Sequence, residues 1–331
     1  MKSKSTLPEH DSIDAILRPE KWADYVGQEK VKTNLRLMID AAKKRKEAVD
    51  HVLLYGAAGL GKTTLACLLA KEMDVPMKST TGPALEKAGD VAAILSNMEP
   101  YEILFIDEIH RVNTLVEEML YPALESRKLH LVVGKGQSAR TFSLDLPPFT
   151  LIGATTKVSV LSNPLRSRFG ATFKLEYYRR EDIESILTRN ARVLGTSAEK
   201  GAIRVLAESA RFTPRVANRL LKRSRDYAEV NGEGTITEDI ARKTLDLLEV
   251  DRLGLERADR ELLRTIIKKF GGGPVGIKSL SAALSEEIGT IEDVYEPFLM
   301  AQGLLERTSA GRVATAAARR HLGEKDGEGL L

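Results

Sequence analysis

The sequence contains a single cysteine, Cys67, among 331 residues, so no disulfide can form within the chain. Such a chain suits a reducing compartment. Residues 1–12 are polar and charged and lack the apolar core of a signal peptide. No apolar run approaches the roughly 18 to 20 residues that are needed to cross a bilayer. We therefore expect a cytoplasmic protein.

An excess of one charge is also missing, because 50 Lys and Arg residues face 47 Asp and Glu residues and leave a formal charge of +3. Composition alone therefore does not indicate nucleic-acid binding, which must come from local basic surfaces. With 43% hydrophobic and 29% charged residues, the chain can bury a large core, which excludes a disordered or fibrous protein. At about 150 residues per domain, its length predicts two or three domains.

Short apolar runs alternate with helical patterns in the first half of the chain. Residues 51–55, 103–106 and 149–153 predict buried strands, and residues 62–72 predict a helix that follows a glycine-rich turn. Strands that alternate with helices predict an α/β domain with a parallel sheet and helices on both faces.

The stretch from Leu129 to Leu146 alternates apolar and polar residues around Gly134-Lys135-Gly136, which predicts a hairpin. We expect Leu131, Val133 and Phe142 to be exposed near its tip, where they would form a docking surface. An ordinary surface hairpin is the alternative interpretation.

The second half shows apolar residues at helical spacing and no strand pattern directly after Tyr178. Helices are predicted over 180–194, 198–210, 214–230 and 237–248, which indicates a small all-helical domain. Further on, three helices are followed by two short strands around Ser309-Ala310-Gly311, the layout of a winged helix-turn-helix; these helices cover 257–270, 278–287 and 290–302. A small helical packing module is the alternative. The predicted domains are 1–178, 179–252 and 253–331.

Residues Gly56-Ala57-Ala58-Gly59-Leu60-Gly61-Lys62-Thr63 match the phosphate-binding P-loop pattern between a predicted strand and a predicted helix. Backbone N–H groups and the helix N-terminus would face an anion there. The Lys62 ammonium can reach the outer phosphates, and the Thr63 hydroxyl can hold Mg²⁺. The sequence therefore predicts an ATP site with Mg²⁺.

The apolar strand at 103–106 ends in Asp107 and Glu108, which matches a Walker B element. Asp107 would support Mg²⁺ through water, and Glu108 would polarise the attacking water. The next predicted strand leads to Thr156, which could hydrogen-bond the γ-phosphate or the water. Arg166 and Arg168 follow, and an arginine offered by a neighbouring subunit can stabilise the charge that develops in phosphoryl transfer.

This order of elements, followed by a helical lid with Pro214-Arg215, resembles the AAA+ ATPases. Several motifs narrow the resemblance to the RuvB family, the motor subunits of the bacterial Holliday-junction branch-migration complex. These motifs are Arg18-Pro19, Asp24-Tyr25-Val26-Gly27-Gln28-Glu29-Lys30-Val31, Asp107-Glu108-Ile109-His110-Arg111, Leu144-Asp145-Leu146-Pro147-Pro148-Phe149-Thr150, Gly272-Gly273-Pro274-Val275-Gly276, Thr290-Ile291-Glu292-Asp293-Val294-Tyr295-Glu296-Pro297 and Gln302-Gly303. The resemblance runs from about Leu17 to Gly323.

The resemblance implies a role for individual residues at the ATP site. Leu17 and Arg18 would lie by the adenine, and Tyr178 would contact the nucleotide from the domain junction. Phosphate contacts would come from Gly59, Lys62, Thr63 and Thr64. Thr156 would be sensor 1, Arg168 the finger acting on a neighbouring subunit, and Arg215 sensor 2. Glu125, Ser126 and Arg127 would approach the nucleotide of an adjacent subunit.

The resemblance also implies partners. It implies a homo-hexameric ring that translocates duplex DNA in homologous recombination and recombinational repair. The hairpin from Leu129 to Leu146 would dock the junction-binding protein RuvA, and the resolvase RuvC would join a larger complex. Arg307 and Arg312, on the wing, would touch DNA phosphates.

The chain departs from the family pattern at two places. Ala57-Ala58 stand where the family has paired prolines, and the more flexible loop is expected to weaken nucleotide affinity slightly. Ser309-Ala310 stand where the family more often has proline and arginine, so one basic side chain is missing from the DNA face. Since each lost phosphate contact reduces affinity, we expect weaker binding to DNA by this chain alone.

Three other kinds of protein share part of this pattern. A clamp-loader subunit is also an AAA+ ATPase with an arginine pair, but its third domain is a helical collar without a wing. A protein-remodelling chaperone would expose an aromatic pore loop. A DNA-binding regulator would need base-reading side chains on the helix at 290–302, which instead carries Glu292, Asp293 and Glu296.

Overall fold

The computed structural model describes residues 16–133, 140–232 and 234–324. Within that part of the chain, two compact units are found. The first extends to Asp182 and also includes Thr213–Arg215, and the second comprises Ile183–Phe212 and the residues from Val216 onward. None of the described helices is both long and apolar enough to span a membrane.

The first unit is built on a five-stranded parallel sheet, as predicted. Its strands, in spatial order, are β2 (Met77–Thr81), β3 (Ile103–Asp107), β6 (Thr150–Thr155), β1 (Val52–Tyr55) and β7 (Ala171–Lys174). The three central strands are the apolar runs that the sequence predicts, and they are buried on both faces. The edge strands β2 and β7 were missed because their partly exposed sequences contain no apolar run.

Helices and short turns surround this sheet. The α-helices are α1 (Glu29–Arg45), α2 (Lys62–Met73), α3 (Ala88–Ser96), α4 (Thr114–Ser126) and α5 (Asn163–Arg166). Short 3-10 turns cover Trp22–Asp24, Gly82–Ala84 and Ile109–Arg111. Because α2 begins at Lys62, directly after β1 and the glycine-rich loop, the P-loop has the strand-turn-helix context that the pattern requires.

The predicted hairpin is present as the antiparallel strands β4 (Lys128–Val133) and β5 (Arg140–Asp145). Its turn at Gly134-Lys135-Gly136 and the side chain of Val133 lie outside the described residues. Leu131 was expected to be exposed, but it packs against the core because the base of the hairpin lies on the sheet domain. The exposed apolar side chains are Phe142, at 53% exposure, and Leu144.

The second unit begins with the helices α6 (Arg180–Val193), α7 (Lys200–Glu208), α8 (Pro214–Asn231) and α9 (Glu238–Leu247). The prediction of an all-helical region was wrong in one respect. The two-residue strands β8 (Ser197–Ala198) and β9 (Thr235–Ile236) pair in parallel. Runs this short show no period in the sequence, so no pattern could reveal them.

The rest of the second unit is the predicted winged helix-turn-helix, here called the head (Leu255–Leu322). Its elements are α10 (Arg257–Lys269), α11 (Ile277–Leu284), α12 (Ile288–Thr290), a π-helical turn (Ile291–Tyr295), α13 (Glu296–Ala301), β10 (Leu305–Thr308), β11 (Gly311–Ala314) and α14 (Ala316–Leu322). The predicted helix at 290–302 contains a π-turn just before Pro297, which lacks a backbone N–H and cannot make the regular helical bond. The strands β10 and β11 form the wing, which a clamp-loader collar lacks.

Candidate nucleotide site and DNA-binding head

The P-loop has the backbone geometry of an anion-binding loop. Gly56, Gly59 and Gly61 have φ values of 144°, 80° and 95°, which side-chain-bearing residues rarely adopt. A Cβ at Gly59 would lie 2.9 Å from the Cβ of Arg215, and one at Gly61 would lie 3.0 Å from the Tyr25 hydroxyl. Glycine at these positions therefore lets the loop backbone pass close to Arg215 and Tyr25, where a side chain would collide.

Lys62 is buried at the start of α2, and its Nζ donates hydrogen bonds to the carbonyl oxygens of Gly56 and Ala57, each at 2.9 Å. Burial lowers the pKa of the Lys62 ammonium, and the carboxylates of Asp107 and Glu108 oppose that shift. The ammonium is thus held over the loop and near the two Walker B acids. Thr63 and Thr64 follow it in the first turn of α2.

The two predicted Walker B carboxylates lie at the end of β3. Asp107 Oδ1 accepts a hydrogen bond from the backbone N–H of Glu108 at 2.9 Å. Glu108 has a left-handed backbone, with φ 48° and ψ 43°. Such a conformation costs a non-glycine residue about 1–3 kcal/mol and is concentrated at functional sites. The strained turn at Glu108 therefore fits a residue whose side chain must be aimed at a reacting group.

A polar network joins Glu108 to the end of β6. Thr156 Oγ1 donates to Glu108 Oε2 at 3.4 Å, and the same oxygen lies 3.2 Å from His110 Nδ1. That nitrogen also lies 2.8 Å from Thr155 Oγ1. The structure thus brings the predicted sensor 1 threonine and the predicted water-polarising glutamate together. His110 was missed as a supporting residue, although it belongs to the Asp107–Arg111 motif.

Two buried tyrosines, Tyr25 and Tyr178, bond to each other and contact the backbone of the P-loop. Tyr178 donates its hydroxyl hydrogen bond to Tyr25 Oη at 3.1 Å and lies 3.2 Å from the Leu60 carbonyl oxygen. Burial raises the pKa of both phenols, so they stay protonated. Gln28 also pairs its side-chain amide with the backbone N–H and C=O of Glu176. Tyr25 and Gln28 were not predicted as functional, and only their presence in the motif at 24–31 pointed to them.

The other predicted nucleotide contacts are placed in the same unit. Leu17 is buried, and the Arg18 guanidinium donates to Cys67 Sγ at 3.8 Å on α2. Arg215 is exposed and lies close enough to Lys62 for its charge to lower the pKa of that ammonium further. The predicted sensor 2 arginine therefore adjoins the P-loop.

The predicted finger and the predicted contacts to an adjacent subunit share one surface of the first unit. Arg168 forms an ion pair with Glu125 at 2.9 Å, and its guanidinium carbon lies 4.3 Å from the centre of the Tyr121 ring. Ser126 ends α4, and Arg127 follows it with a left-handed backbone. Because the ion pair and the aromatic ring orient the Arg168 guanidinium, this surface is preorganised to present a cation.

The wing arginines have different surroundings, although Arg307 and Arg312 are cross-strand partners. Arg307 is 52% exposed and pairs with Glu292 at 3.0 Å. The Arg312 side chain is only 7% exposed and binds Glu296 at 2.6 Å and Glu292 at 2.8 Å. The expectation that Arg312 touches DNA phosphates disagrees with this geometry, because two carboxylates occupy its donors inside the head. Arg312 fixes the wing, and Arg307 remains the candidate for phosphate contact.

Arg312→Ala is expected to lower the free energy of unfolding of the head by about 3–5 kcal/mol, because buried Glu296 loses its nearest counter-charge, at 2.6 Å, and keeps only Arg307 at 3.8 Å. Arg307→Ala should change stability by about 1 kcal/mol or less, since its ion pair is exposed. It should instead weaken duplex binding equally across sequences and reduce the salt slope by about 1. Denaturant unfolding and salt-dependent binding titrations of both variants test this. If Arg312→Ala kept the stability of the unsubstituted chain but lost duplex affinity, that result would favour a direct contact between Arg312 and DNA phosphate.

Three family models match consecutive parts of the chain. They are the Holliday junction DNA helicase RuvB P-loop domain at residues 17–175, the RuvB AAA lid domain at 178–251 and the RuvB C-terminal winged helix domain at 252–323. Together they cover the P-loop, the helices that follow it and the head.

Individual relatives agree with the family models. The chain is 56% identical over 310 residues to the Holliday junction branch migration complex subunit RuvB of Dehalococcoides mccartyi. The aligned residues cover 94% of this chain and 89% of that relative. The solved Thermotoga maritima RuvB Holliday junction branch migration motor superposes with a TM-score of 0.86 at 44% identity, covering 94% of this chain and 99% of that chain. A point variant of the Thermotoga protein gives the same TM-score. The chain therefore belongs to the RuvB family of P-loop AAA+ ATPases.

Proposed function

We propose that the chain is an ATP-driven motor that moves the duplex arms of a four-way DNA junction, and so drives branch migration in homologous recombination and recombinational repair. The observation that carries this proposal is the Glu108 network, in which Glu108 has a left-handed backbone and its carboxylate accepts a hydrogen bond from Thr156 beside the P-loop. The same chain ends in a winged-helix head. Hydrolysis and DNA contact are thus joined in one polypeptide.

ATP and Mg²⁺ fit the residues that are present. The Gly56 N–H bonds to the Thr155 carbonyl oxygen, and the backbone N–H groups further along the loop would bind phosphate oxygens at the N-terminus of α2. The Thr63 hydroxyl and, through water, the Asp107 carboxylate would hold Mg²⁺, which would supply positive charge to stabilise the phosphates. A metal that is held by so few protein groups is typical of Mg²⁺ on a nucleotide.

The residues of the chain divide the work of hydrolysis. Lys62, released from the two loop carbonyls, would bind the outer phosphates, and Glu108 would orient and polarise the attacking water. Thr156 shares a hydrogen bond with Glu108, so it would report the presence of the γ-phosphate to that carboxylate. Arg215 would bind the same phosphate from the lid side. Leu17 and Arg18 would lie by the adenine, and Tyr178 would contact the nucleotide.

The surface around Arg168 would complete the ATP site of a neighbouring copy. Arg168, with Glu125, Ser126 and Arg127 beside it, would approach the nucleotide that the neighbour holds. Subunits that share sites head to tail in this way can close into a ring, which we propose to be a homo-hexamer. The exposed Phe142 and Leu144 on the hairpin would dock RuvA, and RuvC would join the larger complex. The assembly would work in the cytoplasm.

The head would follow the DNA backbone and not its bases. A translocating motor must accept every sequence, and phosphate contacts carry no sequence information. The wing offers Arg307 and no asparagine or glutamine beside it. We place the boundaries of the ATPase, lid and head domains at 178 and 252.

ATP hydrolysis at falling protein concentration tests the shared site. The rate per subunit should drop when the chain is diluted until it is monomeric, and duplex DNA should raise it at higher concentration. An unchanged rate per subunit across that range, indifferent to DNA, would contradict the proposal.

A further inference from the structure

The segment at 209–212, between α7 and α8, is packed onto the head within the second unit. Ser209 is buried, and its Oγ donates to the carbonyl oxygen of Asp251 at 3.2 Å, just before the head begins. Phe212 packs against the hydrophobic core of the head. Its ring centre lies 6.3 Å from that of Phe298, with the two planes tilted by 58°. The segment is therefore part of the head's packing, although it belongs to the lid in the sequence.

Arg211 makes the strongest contact in this segment. Its guanidinium forms a two-pronged ion pair with Asp259, at 3.1 and 3.3 Å, and lies 4.1 Å from the centre of the Phe298 ring. The Asp259 side chain is only 1% exposed and also accepts a hydrogen bond from the backbone of Glu256 at the start of α10. A forked pair on a fixed carboxylate sets both the position and the orientation of the guanidinium.

Two consecutive residues of this segment have left-handed backbones. Arg211 has φ 52° and Phe212 has φ 56°. Bulky residues rarely adopt this conformation, and it persists only where surrounding contacts determine it. Here Asp259 and Phe298 supply those contacts. The backbone at 211–212 therefore has little freedom to absorb a movement of the residues that follow.

The residues that follow are those of the nucleotide site. The chain passes from Phe212 directly to Thr213–Arg215, which belong to the first unit. There Arg215 adjoins Gly59 of the P-loop. Only three residues separate Arg211 from Arg215, the arginine proposed to bind the γ-phosphate.

We propose that Arg211 is the residue that transmits the state of the nucleotide to the winged-helix head, through its forked ion pair with Asp259 and its stacking on Phe298. The inference rests on the proposed function and adds to it the route of coupling. Arg211 acts as a positioning residue, because its partners are in the head and its effect on the nucleotide passes through Arg215. A displacement of Arg215 on loss of the γ-phosphate would pull on Arg211 and thereby on α10 and α13.

The test is the ratio of duplex-DNA dissociation constants measured with a non-hydrolysable ATP analogue and with ADP. For the unsubstituted chain, this ratio should differ from 1 by about 5-fold or more. Arg211→Ala should bring it close to 1, while the affinity for the ATP analogue and the duplex affinity with ADP stay within about two-fold of the unsubstituted values. Asp259→Asn should do the same, and the double variant should lose nothing further, since both changes break one link.

Arg219→Ala is the matched control, because Arg219 pairs with Glu256 of the head but is 53% exposed. It should leave the ratio unchanged. Arg211→Lys keeps the positive charge next to Asp259 without the planar fork, so it separates coupling from folding. We expect it to fold normally and still lose most of the ratio.

The inference would be overturned if Arg211→Lys or Arg211→Ala kept the same ratio of duplex-DNA dissociation constants as the unsubstituted chain. A failure of the proposed function looks different. In that case the unsubstituted chain itself would bind duplex DNA equally in both nucleotide states, and the coupling route would fall with it.

Discussion

Glu108→Gln is expected to bind ATP normally and to hydrolyse it about 10²–10⁴-fold more slowly. The amide cannot take up a proton or polarise the attacking water as a carboxylate does. Binding should survive because the loop backbone and Lys62 provide the phosphate contacts, and loss of a negative charge near Lys62 does not weaken its attraction to an anion. Steady-state ATP hydrolysis and a nucleotide-binding titration measure the two effects separately.

Glu118→Gln is the matched control for this experiment. Glu118 is exposed on α4 and lies outside the Glu108 network, so the same chemical change should leave turnover intact. Normal turnover in Glu108→Gln would show that another group polarises the water. Weak ATP binding in Glu108→Gln would show instead that the carboxylate organises the loop.

Arg168→Ala is expected to reduce ATP hydrolysis by about 10³–10⁵-fold, the range found for arginine fingers. The loss should be repaired in part by mixing the variant with Lys62→Ala subunits. Those subunits cannot bind phosphates normally, but their own Arg168 can complete the site of the neighbour. Hydrolysis by the mixture, compared with each variant alone, measures this complementation.

Arg166→Ala serves as the control, because Arg166 is a nearby exposed arginine without the Tyr121 and Glu125 contacts that orient Arg168. Its hydrolysis should remain near the unsubstituted rate. A mixture of Arg168→Ala and Lys62→Ala that is no more active than its parts would argue against a site shared between subunits.

The sequence predicted best where a residue's role follows from local spacing. The P-loop, Asp107 and Glu108 were identified because a strand, a turn and a helix must follow one another within a few residues to build them. The central strands were recognised because burial on both faces requires continuous apolar runs. The edge strands at 77–81 and 171–174 escaped notice because their exposed faces remove that signal.

What the sequence could not reveal depends on contacts between distant residues. Arg307 and Arg312 look equivalent on a two-stranded ribbon, and nothing local shows that Glu292 and Glu296 bind Arg312 more closely and that its side chain is buried. In the sequence, the acids at 292, 293 and 296 argued only against a base-reading helix. The structure shows that Glu292 and Glu296 bind the wing arginines, because the helix packs against the ribbon.

The supporting residues of the ATP site show the same limit. His110 reaches Glu108 and Thr155, which are two and 45 residues away, and Tyr25 reaches Tyr178 across 153 residues. Motif resemblance brought His110 and Tyr25 into view, but their contacts required the fold. Arg211 lies in no predicted motif except as a neighbour of Pro214-Arg215.

The central claim is that ATP hydrolysis by this chain moves duplex DNA through a junction. Dissociation of a synthetic four-way junction into duplex products, measured with and without the junction-binding protein RuvA, tests it most directly. We predict that duplex products form with ATP and RuvA. No products should form with a non-hydrolysable analogue in place of ATP, or with the Glu108→Gln chain. Intact junctions in the presence of RuvA and active ATP hydrolysis, or equal dissociation without hydrolysis, would contradict the account.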